Sequence, residues 1–190
     1  IFKVEFSDDM KMITAFRSLD GEKVDLLSPV EITQTVEEWL ANLSVEMVKT
    51  LEKELTDCLR SMDQGKMELV RYPSMILCAA EQIRFCQEAD ECIGSGQRGL
   101  ESLAESTRSK LANFTSFELD DKPVEKLKLK AIILDVIHNV DVCQQLKDNQ
   151  VNARSDWYWH KQLRFYMQQD TGKCYIKMCD AENAYTYEYQ

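Results

Sequence analysis

The amino-acid sequence predicts a mainly α-helical chain, in which a helical array is flanked by a small β-hairpin near each end. Apolar residues recur at steps of three and four over several long stretches, which is the spacing of a helix with one buried face. Near the C-terminus the period drops to two, as in a strand with one covered face. Six Gly and three Pro are few for a sandwich or barrel, which needs many tight turns.

Extended structure is predicted before the first helix. Within residues 1–30, the apolar runs 13–16 and 24–27 flank Asp20-Gly21, which predicts a hairpin turn. From about residue 33 to 62 the pattern becomes helical, and a helix of this length needs packing partners in water. Its apolar stripe consists of Val36, Leu40, Leu43, Met47, Leu51, Leu55, Leu59 and Met62.

Three further helices are predicted in the centre of the chain. Tyr72-Pro73 begins the second, because Pro is favoured at the first helical position, and the third covers about 98–114. Asp120-Asp-Lys-Pro123 predicts a capped start for the fourth, which runs to about residue 146. The centre of this fourth helix, 131–134, is apolar on several faces, so we expect it to lie deepest in the core.

The last segment combines a helix with strands. A fifth helix is predicted over about 157–168, followed by strands at 174–179 and 184–189 joined by a turn at 180–183. The chain begins at Ile1 rather than Met and stops within a strand-like run, so we expect a fragment of a longer protein.

The charge balance opposes a nucleic-acid or membrane partner. The 33 acidic residues outnumber the 23 basic ones, the net charge is −10, and no dense basic run occurs, whereas phosphate binding needs clustered Lys and Arg. The sequence contains no run of 18 apolar residues, so it predicts no membrane-spanning helix. The seven cysteines lack C-x-x-C spacing and lie among apolar residues, which favours buried thiols over disulfides or a zinc site.

One motif resembles a nucleotide-binding loop by its letters alone. Gly94-Ser-Gly-Gln-Arg-Gly99 fits G-x-G-x-x-G, whose glycines admit a pyrophosphate between a strand and a helix. A helix precedes the motif here, and no Lys-Ser or Lys-Thr pair follows it, so a flexible helix–helix loop is favoured over a dinucleotide site or P-loop. A self-contained NAD- or ATP-dependent enzyme would rest on this motif alone.

A metal site and a catalytic centre are also disfavoured. Asp135, His138 and Asp141 share one helix face, but three ligands need a fourth, and a hydrogen-bonded His–Asp pair is the favoured interpretation. No Cys or His occurs in a motif that would place a nucleophile beside a base. We therefore predict no metal and no catalytic residue.

Large aromatic side chains are concentrated between residues 157 and 166. Trp157, Trp159, Phe165 and Tyr166 lie close to Arg164 in a short segment just before the predicted strands. Ordinary core is the favoured interpretation. The functional alternative is a junction where one structural unit docks on the next, because large aromatics dominate burial at such contacts.

Several short motifs occur in a fixed order along the chain, beginning with Gly21-Glu22 and Val36-Glu-Glu-Trp-Leu40. These two resemble a Gly-Glu pair and the segment that follows it in the linker of dynein heavy chains. The runs Asp135-Val-Ile-His138 and Asp141-Val142 resemble its DVH-x-x-DV. The passage from that linker into the first AAA+ module resembles Asp156-Trp-x-Trp159, Gln162-Leu-Arg-Phe-Tyr166 and Tyr185-x-Tyr-Glu-Tyr189.

Departures from the common pattern indicate a branch of the family. Trp157, Met167, Thr186 and Gln190 stand where most dyneins have Phe, Trp, Gly and Leu. This combination resembles the intraflagellar-transport branch, cytoplasmic dynein two.

The resemblance implies a mechanical part of an ATP-driven, minus-end-directed microtubule motor. In this family the linker is a helical rod that crosses a ring of six AAA+ modules and bends as the first module turns over ATP. Residues 1–30 and 31–155 would be extended and helical parts of the linker, and 156–190 its junction with the first module. ATP and Mg²⁺ would be bound by the parent motor and not by this fragment, from which we expect no activity alone.

The resemblance also implies partners and positions. The expected partners are the AAA+ ring of the same heavy chain, a second heavy chain in a homodimer, dynein accessory chains and microtubules, in the cytoplasm, cytoskeleton and cilium. The linker signature would be Val36, Glu37, Trp39, Leu40, His138 and Asp141. The linker–ring junction would be Trp157, Trp159, Gln162, Leu163, Arg164, Tyr166, Tyr187, Glu188 and Tyr189. The alternative function is a free-standing helical interaction or scaffold module, which composition and periodicity fit equally well.

Overall fold

The computed structural model describes residues 3–65, 68–119, 122–168 and 170–187, and within them the chain is mainly α-helical, as predicted. The helices are α1 (Val36–Asp63), α2 (Ser74–Gly94), α3 (Gly96–Thr115), α4 (Pro123–Asp148) and α5 (Trp157–His160). The strands are β1 (Lys3–Phe6), β2 (Met12–Arg17), β3 (Lys23–Glu31), β4 (Arg164–Met167), β5 (Cys174–Met178) and β6 (Ala181–Ala184). No helix in these ranges is long and apolar enough to cross a membrane.

The chain divides into two compact units, with the boundary inside α2. Unit 1 contains the described residues of 1–76 together with 186 and 187, and unit 2 contains the described residues of 77–185. Each unit has one three-stranded antiparallel sheet, ordered β1-β2-β3 in unit 1 and β4-β5-β6 in unit 2.

In unit 1 the sheet packs against α1. The predicted hairpin turn is confirmed, since Arg17 pairs with Lys23 across Gly21, which has φ +88°, but β1 adds a third strand that we did not predict. The backbone N–H of Leu27 in β3 donates to Thr50 Oγ1 at 3.1 Å and so joins the strand to the helix. The stripe of α1 is buried over its middle and end, at Leu43, Met47, Leu51, Leu55 and Met62.

The start of α2 is held within the same unit. The backbone N–H of Ser74, the first residue of α2, donates to Glu22 Oε1 at 2.9 Å. A carboxylate at this position satisfies one of the free N–H groups and also interacts favourably with the helix dipole. The Gly-Glu pair of the hairpin therefore acts as a distant cap for α2.

In unit 2 the core lies between α2, α3, α4 and α5. Phe85 and Ile93 of α2, Leu103 of α3 and Leu146 of α4 belong to one buried cluster that also contains Trp159. α4 begins with Pro123 in its first turn, as predicted; its N-cap is Lys122, and the predicted Asp120 cap lies outside the described residues.

The expectation that α4 lies deepest in the core was wrong. Leu134 is 67% exposed and Ile137 is 42% exposed, whereas Leu77, Ile83 and Ile93 of α2 are fully buried. Apolar residues on several faces of a helix do not say which face is covered, and here only the face with Ile132 and Val136 is.

The predicted fifth helix was also wrong in its second half. Only Trp157–His160 is helical, and Arg164–Met167 is strand β4, paired residue by residue with β5 from Arg164↔Lys177 to Met167↔Cys174. Aromatic residues favour strands, and pairing with β5, which begins ten residues after the start of β4, makes this segment a strand rather than a helix. A C-terminal hairpin is present, but the predicted turn at 180–183 and second strand at 184–189 were wrong. The turn is at 179–180, β6 covers Ala181–Ala184, 185–187 are not in a strand, and 188 and 189 lie outside the described residues.

The interpretation of Gly94–Gly99 as a loop was wrong. α2 ends at Gly94 and α3 begins at Gly96, so Ser95 is the one residue between the two helices. Gly99 lies inside α3, where a Cβ would meet the backbone carbonyl of Cys92. Its lack of a side chain allows α3 to begin in contact with the end of α2.

Candidate functional site

The aromatic junction, defined here as residues 154–166 with the last three turns of α2, is the site that the structure builds from the predicted residues of unit 2. Asp156 begins it as the N-cap of α5, where its Oδ1 accepts the backbone N–H of Tyr158 at 3.0 Å. A helix of one turn depends on such a cap, because it has hardly any internal hydrogen bonds. The cap therefore sets the direction in which the Trp159 side chain enters the core.

Trp159 is the centre of the junction and is 1% exposed. Its indole Nε1–H donates to Asp90 Oδ1 of α2 at 2.8 Å. Its ring meets that of Phe85 edge to face, with centroids 6.3 Å apart and planes at 72°. This is the geometry that aromatic pairs prefer, and the polar edge of the indole has the partner that a buried N–H requires.

Asp90 joins further parts of the junction to α2. Its Oδ2 accepts the hydroxyl of Tyr166 at 3.1 Å, and its backbone carbonyl accepts Arg154 Nε–H at 3.0 Å. Neither Asp90 nor Arg154 was singled out from the sequence. The available signal was an acidic residue four positions after buried Cys86 and three before buried Ile93, on the apolar side of α2.

Arg164 is buried, with 6% exposure, and its guanidinium lies 5.9 Å from the centre of the Trp159 ring. Its Nη2–H donates to the backbone carbonyl of His160 at 3.3 Å. The same carbonyl accepts the backbone N–H of Cys179 at 2.8 Å, so the end of α5, strand β4 and the β5–β6 turn meet at one oxygen. Within the described part of the chain, Arg164 has no carboxylate at ion-pair distance, and its Nε has no hydrogen-bond partner.

A second link joins β4 to α2 one turn before Asp90. The backbone N–H of Phe165 donates to Cys86 Sγ at 3.3 Å. Burial raises the pKa of the Cys86 thiol to about 12. Burial, and next the nearby Asp90 charge, also raise the pKa of the Tyr166 hydroxyl. Both groups therefore stay protonated at neutral pH and serve as hydrogen-bonding groups rather than nucleophiles.

The other predicted junction residues are more peripheral. Gln162 Nε2 donates to the backbone carbonyl of Tyr158 at 3.0 Å, while Leu163 and Trp157 are largely exposed, Trp157 by 60%. Tyr187 is buried and belongs to unit 1. The predicted residues Glu188 and Tyr189 lie outside the described residues.

The predicted linker signature lies on helix surfaces. Val36, Glu37 and Leu40 are exposed in the first turns of α1, and Trp39 beside them is half-buried. Glu37 lies in the first turn, where a negative charge is favourable. His138 and Asp141 are exposed on α4. Among the described residues no three His, Cys, Asp or Glu side chains are grouped to hold a metal ion, Asp135, His138 and Asp141 included.

Comparisons with known proteins identify the family. The family model described as "Dynein heavy chain, N-terminal region 2" matches residues 1–58. The chain is 41% identical over 199 residues to "Cytoplasmic dynein 2 heavy chain 1" of Homo sapiens and 40% identical over 199 residues to that of Rattus norvegicus. Both comparisons cover 100% of this chain and 5% of the relative, so the chain spans about a twentieth of their length.

A heavy chain from another branch of the family is less similar to this chain. The "Dynein heavy chain, cytoplasmic" of Caenorhabditis elegans is 27% identical over 206 residues, which cover 100% of this chain and 4% of the relative. The chain belongs to the dynein heavy chain family. Within it, the chain is more similar to the dynein 2 heavy chains just named than to this cytoplasmic one, which confirms the predicted similarity to cytoplasmic dynein 2.

Proposed function

We propose that the chain is the linker segment next to the first AAA+ module of an ATP-driven, minus-end-directed microtubule motor, which it serves by coupling ATP turnover to movement. The observation that carries the proposal is the identity of 40–41% along the whole chain to heavy chains named cytoplasmic dynein 2. A free-standing helical scaffold, the alternative, would not account for similarity that covers every part of the chain.

The construction of the aromatic junction supports a mechanical role. Force passes through a protein best where packed elements have few alternative arrangements. At the junction, α2 is joined to α5 and β4 by two aromatic side chains, one carboxylate and one thiol, between residues that are 69, 76 and 79 positions apart in sequence. Such long-range joints make the helix and the sheet of unit 2 move together.

The remaining parts of the proposal concern the whole heavy chain. We place it in the cytoplasm and on the cytoskeleton of cilia, where it would serve retrograde intraflagellar transport as a homodimer with dynein accessory chains. ATP and Mg²⁺ would be bound by AAA+ modules, and the geometry of Gly94–Gly99 supports placing them elsewhere, because Gly99 is packed against Cys92.

The test uses the full heavy chain that carries this sequence, in a microtubule-gliding assay with parallel measurement of ATP hydrolysis. We expect ATP-dependent, minus-end-directed movement. We expect Arg164→Ala to lower the distance moved per ATP hydrolysed, because it removes the guanidinium that lies between Trp159 and the carbonyl of His160. Lys161→Ala is the matched control, since it removes a cation that lies over the surface ring of Tyr158.

Each outcome bears on a different part of the proposal. A heavy chain that hydrolyses ATP without moving microtubules, or does neither, would contradict the motor function. Movement by the unsubstituted heavy chain, with equal distance per ATP in Arg164→Ala and Lys161→Ala, would contradict the coupling role of the junction.

A further inference from the structure

Asp90 connects α2 to three separate segments of the chain. Its partners Arg154, Trp159 and Tyr166 are 64, 69 and 76 positions away, and they belong to the segment before α5, to α5 and to β4. All three partners are far from Asp90 in sequence, so chain connectivity alone does not hold them beside it. The arrangement of α5 and β4 on the last turns of α2 therefore depends on contacts of this kind.

The two donors are matched by the two oxygens of one carboxylate. An indole N–H and a phenol O–H approach opposite oxygens of the same side chain, at 2.8 and 3.1 Å. Aspartate has two acceptor oxygens on one short side chain. Asparagine has one, so if that oxygen accepts the indole N–H, its NH₂ group faces the Tyr166 hydroxyl, which would have to become the acceptor of a neutral hydrogen bond. Hydrogen bonds to an ionised acceptor are also about twice as strong as those between neutral groups.

The neighbouring acids on α2 do not share this task. Glu88 Oε1 lies 3.8 Å from Lys110 Nζ of α3, and Glu91 is exposed. Residues one or two positions apart on a helix point in different directions, so neither carboxylate replaces that of Asp90. Glu91 offers a matched control, because it carries the same charge one residue away without any of the three partners.

We propose that Asp90 is a positioning residue of the linker, whose carboxylate holds α5 and β4 in one fixed arrangement on α2 so that a displacement of the β4–β5–β6 sheet is transmitted to the helix. This inference rests on the proposed coupling function. It adds to that function by assigning the contact between the sheet and α2 to the Asp90 carboxylate and its donors Trp159 and Tyr166.

The experiment compares Asp90→Asn, Asp90→Glu and Glu91→Gln in the full heavy chain. Hydrogen exchange at the Phe165 amide, which is bonded to Cys86 Sγ, reports whether β4 stays on α2. We expect this exchange to be about tenfold faster in Asp90→Asn, since both hydrogen bonds then lose their charged partner, and the difference between charged and neutral hydrogen bonds corresponds to roughly that factor. Distance moved per ATP should fall in the same variant, while Asp90→Glu, with both acceptor oxygens, recovers part of both values.

Tyr166→Phe keeps the test valid if Asp90→Asn fails to fold, because it removes one hydroxyl and leaves the ring stacked on Tyr175. It should shift exchange and distance per ATP in the same direction, with Glu91→Gln unchanged. Wild-type values of both in Asp90→Asn or Tyr166→Phe would overturn the role of Asp90. Absence of ATP-driven movement in the unsubstituted heavy chain would instead overturn the motor function itself.

Discussion

Alanine substitutions at the three glycines of Gly94-Ser-Gly-Gln-Arg-Gly99 are expected to change the stability of the chain in three different ways. Gly94 ends α2 with an ordinary φ and has open space where a Cβ would lie. Alanine there should stabilise by about 0.4–1 kcal/mol, since it restricts the unfolded chain without strain in the folded one. Gly96 also has open space, but its φ of +66° should make alanine cost about 1 kcal/mol.

Gly99 is the position where space decides the result. A Cβ there would meet the Cys92 carbonyl oxygen at less than contact distance, and the Cys92 carbonyl carbon and Ser95 Cβ at 2.9 Å. Two of these three atoms are backbone and cannot turn aside, so the corner between α2 and α3 would have to open. Overpacking of this kind costs typically 1–3 kcal/mol when side chains can adjust, and we expect about 3 kcal/mol here.

Thermal unfolding followed by far-ultraviolet circular dichroism measures the three effects. One kcal/mol corresponds to roughly 2–4 °C in Tm for a chain of this size, so Gly99→Ala should lower Tm by about 6–12 °C. Gly94→Ala, the control in the same motif, should raise Tm slightly. Equal Tm values for Gly94→Ala and Gly99→Ala would refute the close approach of the two helices at Gly99.

Two further results are expected from buried titratable groups. Burial raises the pKa of the Glu81 carboxyl above 4.5 in the folded chain, because the protonated form is favoured there. The stability that the protonated form contributes is therefore fully present below pH 4.5 and is lost as the pH rises through the folded-state pKa. Lys110 Nζ, 2.6 Å from Glu81, limits this loss, and Lys110→Met should therefore cost about 3 kcal/mol at pH 8. The cost should be clearly smaller at pH 5; urea unfolding that showed an equal cost at both pH values would contradict the pairing. The second result concerns the cysteines: burial raises the pKa of four buried thiols to about 11–12, so they should react with iodoacetamide at pH 7.5 more slowly than the half-buried thiols. Mass spectrometry measures the two rates of modification. Equal rates would refute this expectation. The slow group is Cys58, Cys86, Cys143 and Cys174, and the fast group is Cys78, Cys92 and Cys179.

Sequence patterns were sufficient for the long helices. The steps of three and four that ended near Met62 correspond to α1, and Pro123 marked the start of α4, because both signals are local. The segment 164–167 could not be assigned in this way. Its conformation depends on pairing with Cys174–Met178, and an aromatic run fits a helix or a strand until that partner is known.

The candidate site was predictable in part. Trp159, Arg164 and Tyr166 were singled out from the aromatic cluster and the family resemblance, and the structure brings them together around α2. Their mechanical role stays a prediction. The position of Asp90 on the apolar side of α2 was a signal that this residue has buried partners. It could not identify those partners, because they are 69 and 76 positions away in sequence.

The two apolar faces of α4 have a consequence for the behaviour of the chain in solution. Leu127, Leu134 and Ile137 are in water, and apolar surface of this kind favours association between molecules. The net charge of −10 opposes association, because copies of the chain repel one another. Salt screens that repulsion over about 10 Å at 0.1 M but leaves the apolar attraction in place. Solubility is thus a balance between one helix face and the charge of the whole chain, and ionic strength shifts it toward aggregation.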